Sequence, residues 1–102
     1  SRGFDGDILA LESEDHYVRV HGARQSELIL LRLRDAIQEM DGRPGAQTHR
    51  SWWVARDAVA GVIANGRNRE IRLVNGMKVP VARDSVFRLE QAGFLPASQS
   101  AA

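Results

Sequence analysis

His49, Arg50 and Ser51 place an imidazole, a guanidinium and a hydroxyl in one triplet, and two of the chain's six aromatic residues, Trp52 and Trp53, follow directly. A His–Ser pair can support nucleophilic catalysis, the imidazole taking the hydroxyl proton while a carboxylate holds the ring. His49 and Ser51 share a face if the chain is extended. However, the local sequence sets no carboxylate against the imidazole, and G-x-S-x-G, the P-loop and the dinucleotide fingerprint are absent. A metal site fares no better. His16 and His21 are five residues apart and so point to opposite faces of a strand, and there is no cysteine and no His-x-x-x-His spacing. The expectation is a protein that is not an enzyme and carries neither metal nor cofactor.

Three donors beside a rigid aromatic anchor suit another task, gripping a phosphate backbone. Trp52 and Trp53 read as core, because large aromatics dominate small cores. Arg50 reads either as a surface arginine covering apolar neighbours with its stem or as a phosphate contact. Arg83 ends a strand just before a helix, where a side chain projects off the scaffold. Arg67 and Arg69, in "RNRE" after Asn65-Gly66, form a basic loop tip that is either solvated or in contact with nucleic acid.

The charge distribution agrees with a polyanionic partner more than the total does. The net charge is +1, yet residues 1–48 carry −3 and residues 49–102 carry +4. Thirteen of the fourteen basic residues are arginine, whose planar fork suits bidentate contacts to phosphate and guanine. The chain of 102 residues fits one domain with a modest core. Absence of cysteine excludes disulfide staples. The run "AVAGVIA" is far short of a membrane span, so no membrane contact is expected from this segment. "SRGFDG" reads as an N-terminal extension or cloning remnant over residues 1–6, residues 7–95 as the domain, and residues 96–102 as a frayed tail.

Short strands must position these residues. "DILALES" (7–13) and "HYVRVHG" (16–22) read as strands around a polar Glu14-Asp15 turn, the second with Tyr17, Arg19 and His21 opposite His16, Val18 and Val20. Leu30, Leu33, Ile37 and Met40 follow the helical period, with 28–31 a strand feeding that helix. "AVAGVIA" reads as a buried strand ended by Asn65-Gly66. "EIRLV" and "MKVPVA" flank Asn75-Gly76, a strong hairpin signal that lets Ile71, Leu73, Val79 and Val81 share the core face. Pro80 lacks an N–H and marks an edge strand. Asp84 or Ser85 is expected to cap a last helix, with Gly93 at its C′ position and Phe94 beyond. Six or more short strands and two short helices make a mainly β domain.

The order "ILALESEDHYVRVH", "LRDAIQEM", "HRSWWVARDAV", "IRLVNGMKVPVAR" over roughly residues 7 to 95 resembles the LytTR DNA-binding domain. This family closes many bacterial response regulators and some membrane-anchored regulators. The resemblance implies an elongated fold of short antiparallel strands in three sheets with two short helices. It also implies sequence-specific duplex DNA binding for transcriptional control, with loops and strand ends entering successive major grooves and no recognition helix. Paired direct repeats, a homodimer on DNA, an upstream sensor or receiver domain and a cytoplasmic location follow as expectations. By matching position, His16 and Arg83 become base contacts and Arg50 a backbone contact, with His49 and Ser51 beside it. Ala55 stands where many members carry Asn, and Ala82 where they carry Ser. The alternative is a regulatory or dimerisation module that keeps this scaffold with weak or no DNA binding.

Overall fold

Period-two alternation builds the first hairpin of the computed structural model, which describes residues 7–96. The expected extension over 1–6, and residues 97–102 of the expected tail, lie outside the described residues. β1 (Ile8–Glu14) and β2 (Tyr17–Gly22) pair antiparallel from Glu14↔Tyr17 to Ile8↔Gly22. Asp15 and His16 form the turn, Asp15 in the left-handed region at φ 56°, which Asp tolerates better than most residues. His16 therefore lies before the strand rather than within it.

Val18 and Val20 point into the core, while Arg19 and His21 point to the opposite face. There Arg19 donates to Glu14 at 2.7 Å, and His21 Nε2 lies 3.0 Å from Glu12 Oε1. The His21 ring also stacks on Trp52, centroids 5.5 Å apart and planes 12° from parallel. The guanidinium beside Glu14 holds that carboxyl below its ordinary range.

β3 (Ser26–Leu30) extends the sheet on the far side of β2, and α1 (Leu33–Glu39) follows. Ala36 is buried and Leu33, Ile37 and Met40 are half-buried against the core, as the helical period predicts. Leu30, expected on that same face, belongs to β3 instead and is 69% exposed. A short connection separates strand from helix and breaks the periodicity there.

β4 (Gly45–His49) and β5 (Trp52–Ala55) form a second hairpin. β5 also pairs with β1, so the sheet runs β3-β2-β1-β5-β4. With neighbours on both sides, Trp52, Trp53, Val54 and Ala55 are all buried. Gly45 makes this packing possible. A Cβ there would stand 2.1 Å from Trp53 Cζ2, so any larger residue would expel the indole.

After a 3-10 turn (Arg56–Ala58), β6 (Val59–Asn65), β7 (Asn68–Leu73) and β8 (Lys78–Val81) form a second sheet in that order. Ile71, Leu73, Val79 and Val81 are buried together, and Pro80 sits on an edge strand, as expected. The expectation of a buried "AVAGVIA" fails. β6 pairs on one side only, and from Val59 to Asn65 its residues are half-buried or exposed, with the Arg72 guanidinium lying over Gly61. Direct pairing of β5 with β1 fuses the first two hairpins and β3 into one sheet. The described strands therefore form two sheets rather than the three expected.

A 3-10 turn (Arg83–Ser85) leads into α2 (Val86–Gln91). Ser85 occupies the N-cap, but neither it nor Asp84 makes a side-chain capping bond. The reason is that Ser85 is already helical (φ −98°, ψ −10°), whereas a capping side chain needs an extended backbone. At the other end Gly93 takes φ 82°. The Phe94 N–H donates to Leu89 at 2.8 Å and the Gly93 N–H to Glu90 at 3.1 Å, the paired bonds that close a helix on a left-handed glycine. The whole is elongated, 50 × 24 × 22 Å.

Candidate nucleic-acid interface

The His-Arg-Ser triplet becomes a hairpin tip. His49 ends β4, Trp52 begins β5, and the two pair directly, leaving Arg50 and Ser51 as the turn. The Ser51 N–H donates to His49 Nδ1 at 3.1 Å. That bond makes Nδ1 an acceptor, so the neutral ring carries its proton on Nε2 and presents a donor outward. Gln47 Nε2 donates to the Arg50 carbonyl at 3.3 Å and closes the turn further. The Arg50 guanidinium has no hydrogen bond or ion pair with any described residue, and Arg50 is exposed.

Three other turns reach this tip through a series of bonds. The Ser13 N–H donates to the Ser51 carbonyl at 2.8 Å, which ties the β1–β2 hairpin carrying His16 to the triplet. On the other side, Thr48 joins the two sheets. Its hydroxyl donates to the Pro80 carbonyl at 3.0 Å, and its carbonyl accepts the Ala82 N–H at 2.9 Å. Thr48 is completely buried, so this bridge is shielded from competing water. It fixes where Arg83 leaves β8 relative to Arg50. Arg83 in turn donates through Nε (3.4 Å) and Nη2 (3.2 Å) to Asn68 Oδ1, beside the Gly66-Arg67 turn of the β6–β7 hairpin.

Each residue singled out from sequence thus has a defined place. His16, Arg50 and Arg67 are exposed at turn tips without polar partners among the described residues. His49 and Ser51 hold their turn, and Arg83 is held by Asn68. Arg69 is partly committed, with Nη1 donating to the Gly66 and Asn68 carbonyls at 3.0 and 3.2 Å. Trp53 lies in the core and Trp52 is buried on the other face of the sheet against the His21 ring, and together they anchor the strand behind the tip. Their burial removes them as stacking platforms for unpaired bases.

Sequence reading missed Gln47, Asn68 and Arg88. Arg88 Nη2 donates to the Gln47 carbonyl at 2.6 Å and, with His49, Arg50, Asp84 and Ser85, lines a groove between the hairpin tip and α2. No local pattern marks a contact between residues 41 positions apart. Several other arginines serve the scaffold. Arg56 caps the end of α2 through the Ala92 and Gly93 carbonyls and lies 4.7 Å over the Phe94 ring, and Arg43 bonds Ile8 and Asp57.

Comparison with known proteins agrees with this architecture. A solved structure named for the LytTr DNA-binding domain of a methyl-accepting/DNA response regulator from Bacillus cereus superposes with a TM-score of 0.73. It shares 16% identity over 82% of this chain and 78% of its own, so the likeness is one of fold. No curated protein sequence matches. The family model described as the LytTr DNA-binding domain matches residues 6–93, which include every described strand, both described α-helices and the turns that carry His16, Arg50, Arg67 and Arg83. The chain belongs to the LytTr DNA-binding domain family, whose members bind DNA in transcription regulation.

Proposed function

We propose that this domain, spanning residues 7–95, binds duplex DNA sequence-specifically by presenting its turns to successive major grooves. Arg83 and His16 read bases, and Arg50 grips the intervening backbone. His49 donates through Nε2, Ser51 through its hydroxyl, and Arg67 and Arg69 add phosphate contacts, Arg69 with the nitrogens its carbonyl contacts leave free.

The observation that supports this reading best is the serial bonding of the turns. Ser13–Ser51, Thr48–Pro80, Thr48–Ala82 and Asn68–Arg83 fix the spacing of His16, Arg50, Arg83 and Arg67 without any helix between them. Turns held at fixed spacing bring their side chains to DNA without first losing backbone freedom. The two protomers of a homodimer would occupy paired direct repeats, in a cytoplasmic regulator with a sensor or receiver domain upstream.

Salt titration against duplex fragments tests the proposal. Each neutralised phosphate releases condensed counterion, and four to six contacts give log K against log salt a slope of roughly −4 to −5. A flat response, or no binding at low salt, would instead make the domain a scaffold for regulation or dimerisation.

A further inference from the structure

Arginine can meet the O6 and N7 of guanine with either of two edges, the side edge of Nε and Nη2 or the end edge of Nη1 and Nη2. Which edge it offers depends on what already holds it. In this chain Asn68 Oδ1 accepts from both Nε and Nη2 of Arg83. The guanidinium only donates, so the amide oxygen, not its nitrogen, must face it. The side edge is therefore occupied, while Nη1 and the remaining Nη2 hydrogen stay open.

We infer that Asn68 is a positioning residue that turns the end edge of Arg83 toward the base and so sets the specificity of that contact. This inference rests on Arg83 being a base reader.

The surroundings hold Asn68 in place for the task. It opens β7 and pairs with Asn65 across the Gly66-Arg67 turn. Its carbonyl, with that of Gly66, accepts from Arg69 Nη1, which stiffens the turn from outside. The β7–β8 register sets Arg69 opposite Val81, so Asn68 stands beside the chain as it leaves β8 toward Arg83. Arg83 opens the 3-10 turn that leads into α2, so its backbone is fixed as well. A fork fixed at both ends is committed to one orientation before DNA arrives.

The test selects binding sites from a pool of randomised duplex DNA with the 102-residue chain and with Asn68→Ala, Asn68→Asp and Arg83→Ala. Asn68→Ala should weaken discrimination at one base pair by about 3- to 10-fold, the worth of an ordinary hydrogen bond. That base pair should be the one Arg83→Ala erases. Asn68→Asp keeps the two acceptor contacts, so it should retain the preference while lowering affinity for all sequences through repulsion of phosphate. Adding Asn68→Ala to Arg83→Ala should change nothing further at that position. An evenly spread loss of affinity in Asn68→Ala with all preferences intact would reduce Asn68 to a structural residue and overturn the inference. So would a lost preference at a base pair that Arg83 does not read. If Arg83→Ala itself keeps every preference, or if the parent chain selects no sequence, the underlying assignment of Arg83 fails first and the inference with it. Thermal unfolding of each variant separates these outcomes from misfolding.

Discussion

Replacing Thr48 with valine should expose how the two sheets are held in register. Valine keeps the β-branched shape and nearly the volume of threonine, so the buried site stays filled. What disappears is the hydroxyl donor to the Pro80 carbonyl at 3.0 Å. The main-chain bond from the Ala82 N–H to the Thr48 carbonyl remains. Leaving this partly buried carbonyl without its donor costs about 1–2 kcal/mol. For a domain of this size that lowers Tm by roughly 4–15 °C. Thr48→Ser supplies the control, since it keeps the donor and loses one methyl, at a cost of about 1 kcal/mol. Thermal and urea unfolding of all three proteins gives the stabilities. Affinity for duplex DNA, measured well below each Tm, should fall more in Thr48→Val than in Thr48→Ser, because only valine loosens the link between Arg50 and Arg83. If Thr48→Val is as stable as the parent while Thr48→Ser falls, packing of the methyl and not the bond holds the sheets.

Other expectations follow from the same geometry. Arg50→Ala should weaken binding almost equally on preferred and scrambled duplexes and make the salt slope shallower by about one, as a phosphate contact does; a loss confined to preferred sites would move Arg50 among the base readers. Trp53→Ala should destabilise by about 3–5 kcal/mol in denaturant unfolding, as loss of a buried aromatic does, and Gly45→Ala should also destabilise, because its Cβ would stand 2.1 Å from the same ring. Unchanged stability in either would place the indole elsewhere. Glu14 is held below its ordinary value of 4.5 by Arg19, so its contribution is present above that pH and lost as pH falls through the folded value. Stability measured against pH should therefore show any advantage of the parent over Glu14→Gln at neutral pH shrinking in acid, and an advantage that grew instead would contradict the sign.

Local chemistry made much of the fold legible from the chain. Alternation placed Ile71, Leu73, Val79 and Val81 on one face, Asn75-Gly76 marked their turn, and Gly93 ended α2, because each of these features depends on residues adjacent in sequence. The motif order was enough to recognise the family. Arg50 was legible as a candidate from its triplet, whereas His16 read as a strand residue and became a candidate only through the family resemblance; the turns that carry both emerged with the strand pairing. Leu30 and "AVAGVIA" misled because apolar composition does not reveal how many neighbours a strand has, and both lie in strands paired on one side only.

Which of thirteen arginines are free was beyond any local pattern. Arg56 reaches 36 and 37 residues along the chain to cap a helix, Arg88 reaches 41 to brace a hairpin, and Arg83 reaches 15 to find Asn68. These partners meet only after the strands have paired in register. Sequence set the donors, and the strand pairing decided which are consumed by the scaffold and which, like Arg50 and Arg67, stay exposed without a partner among the described residues.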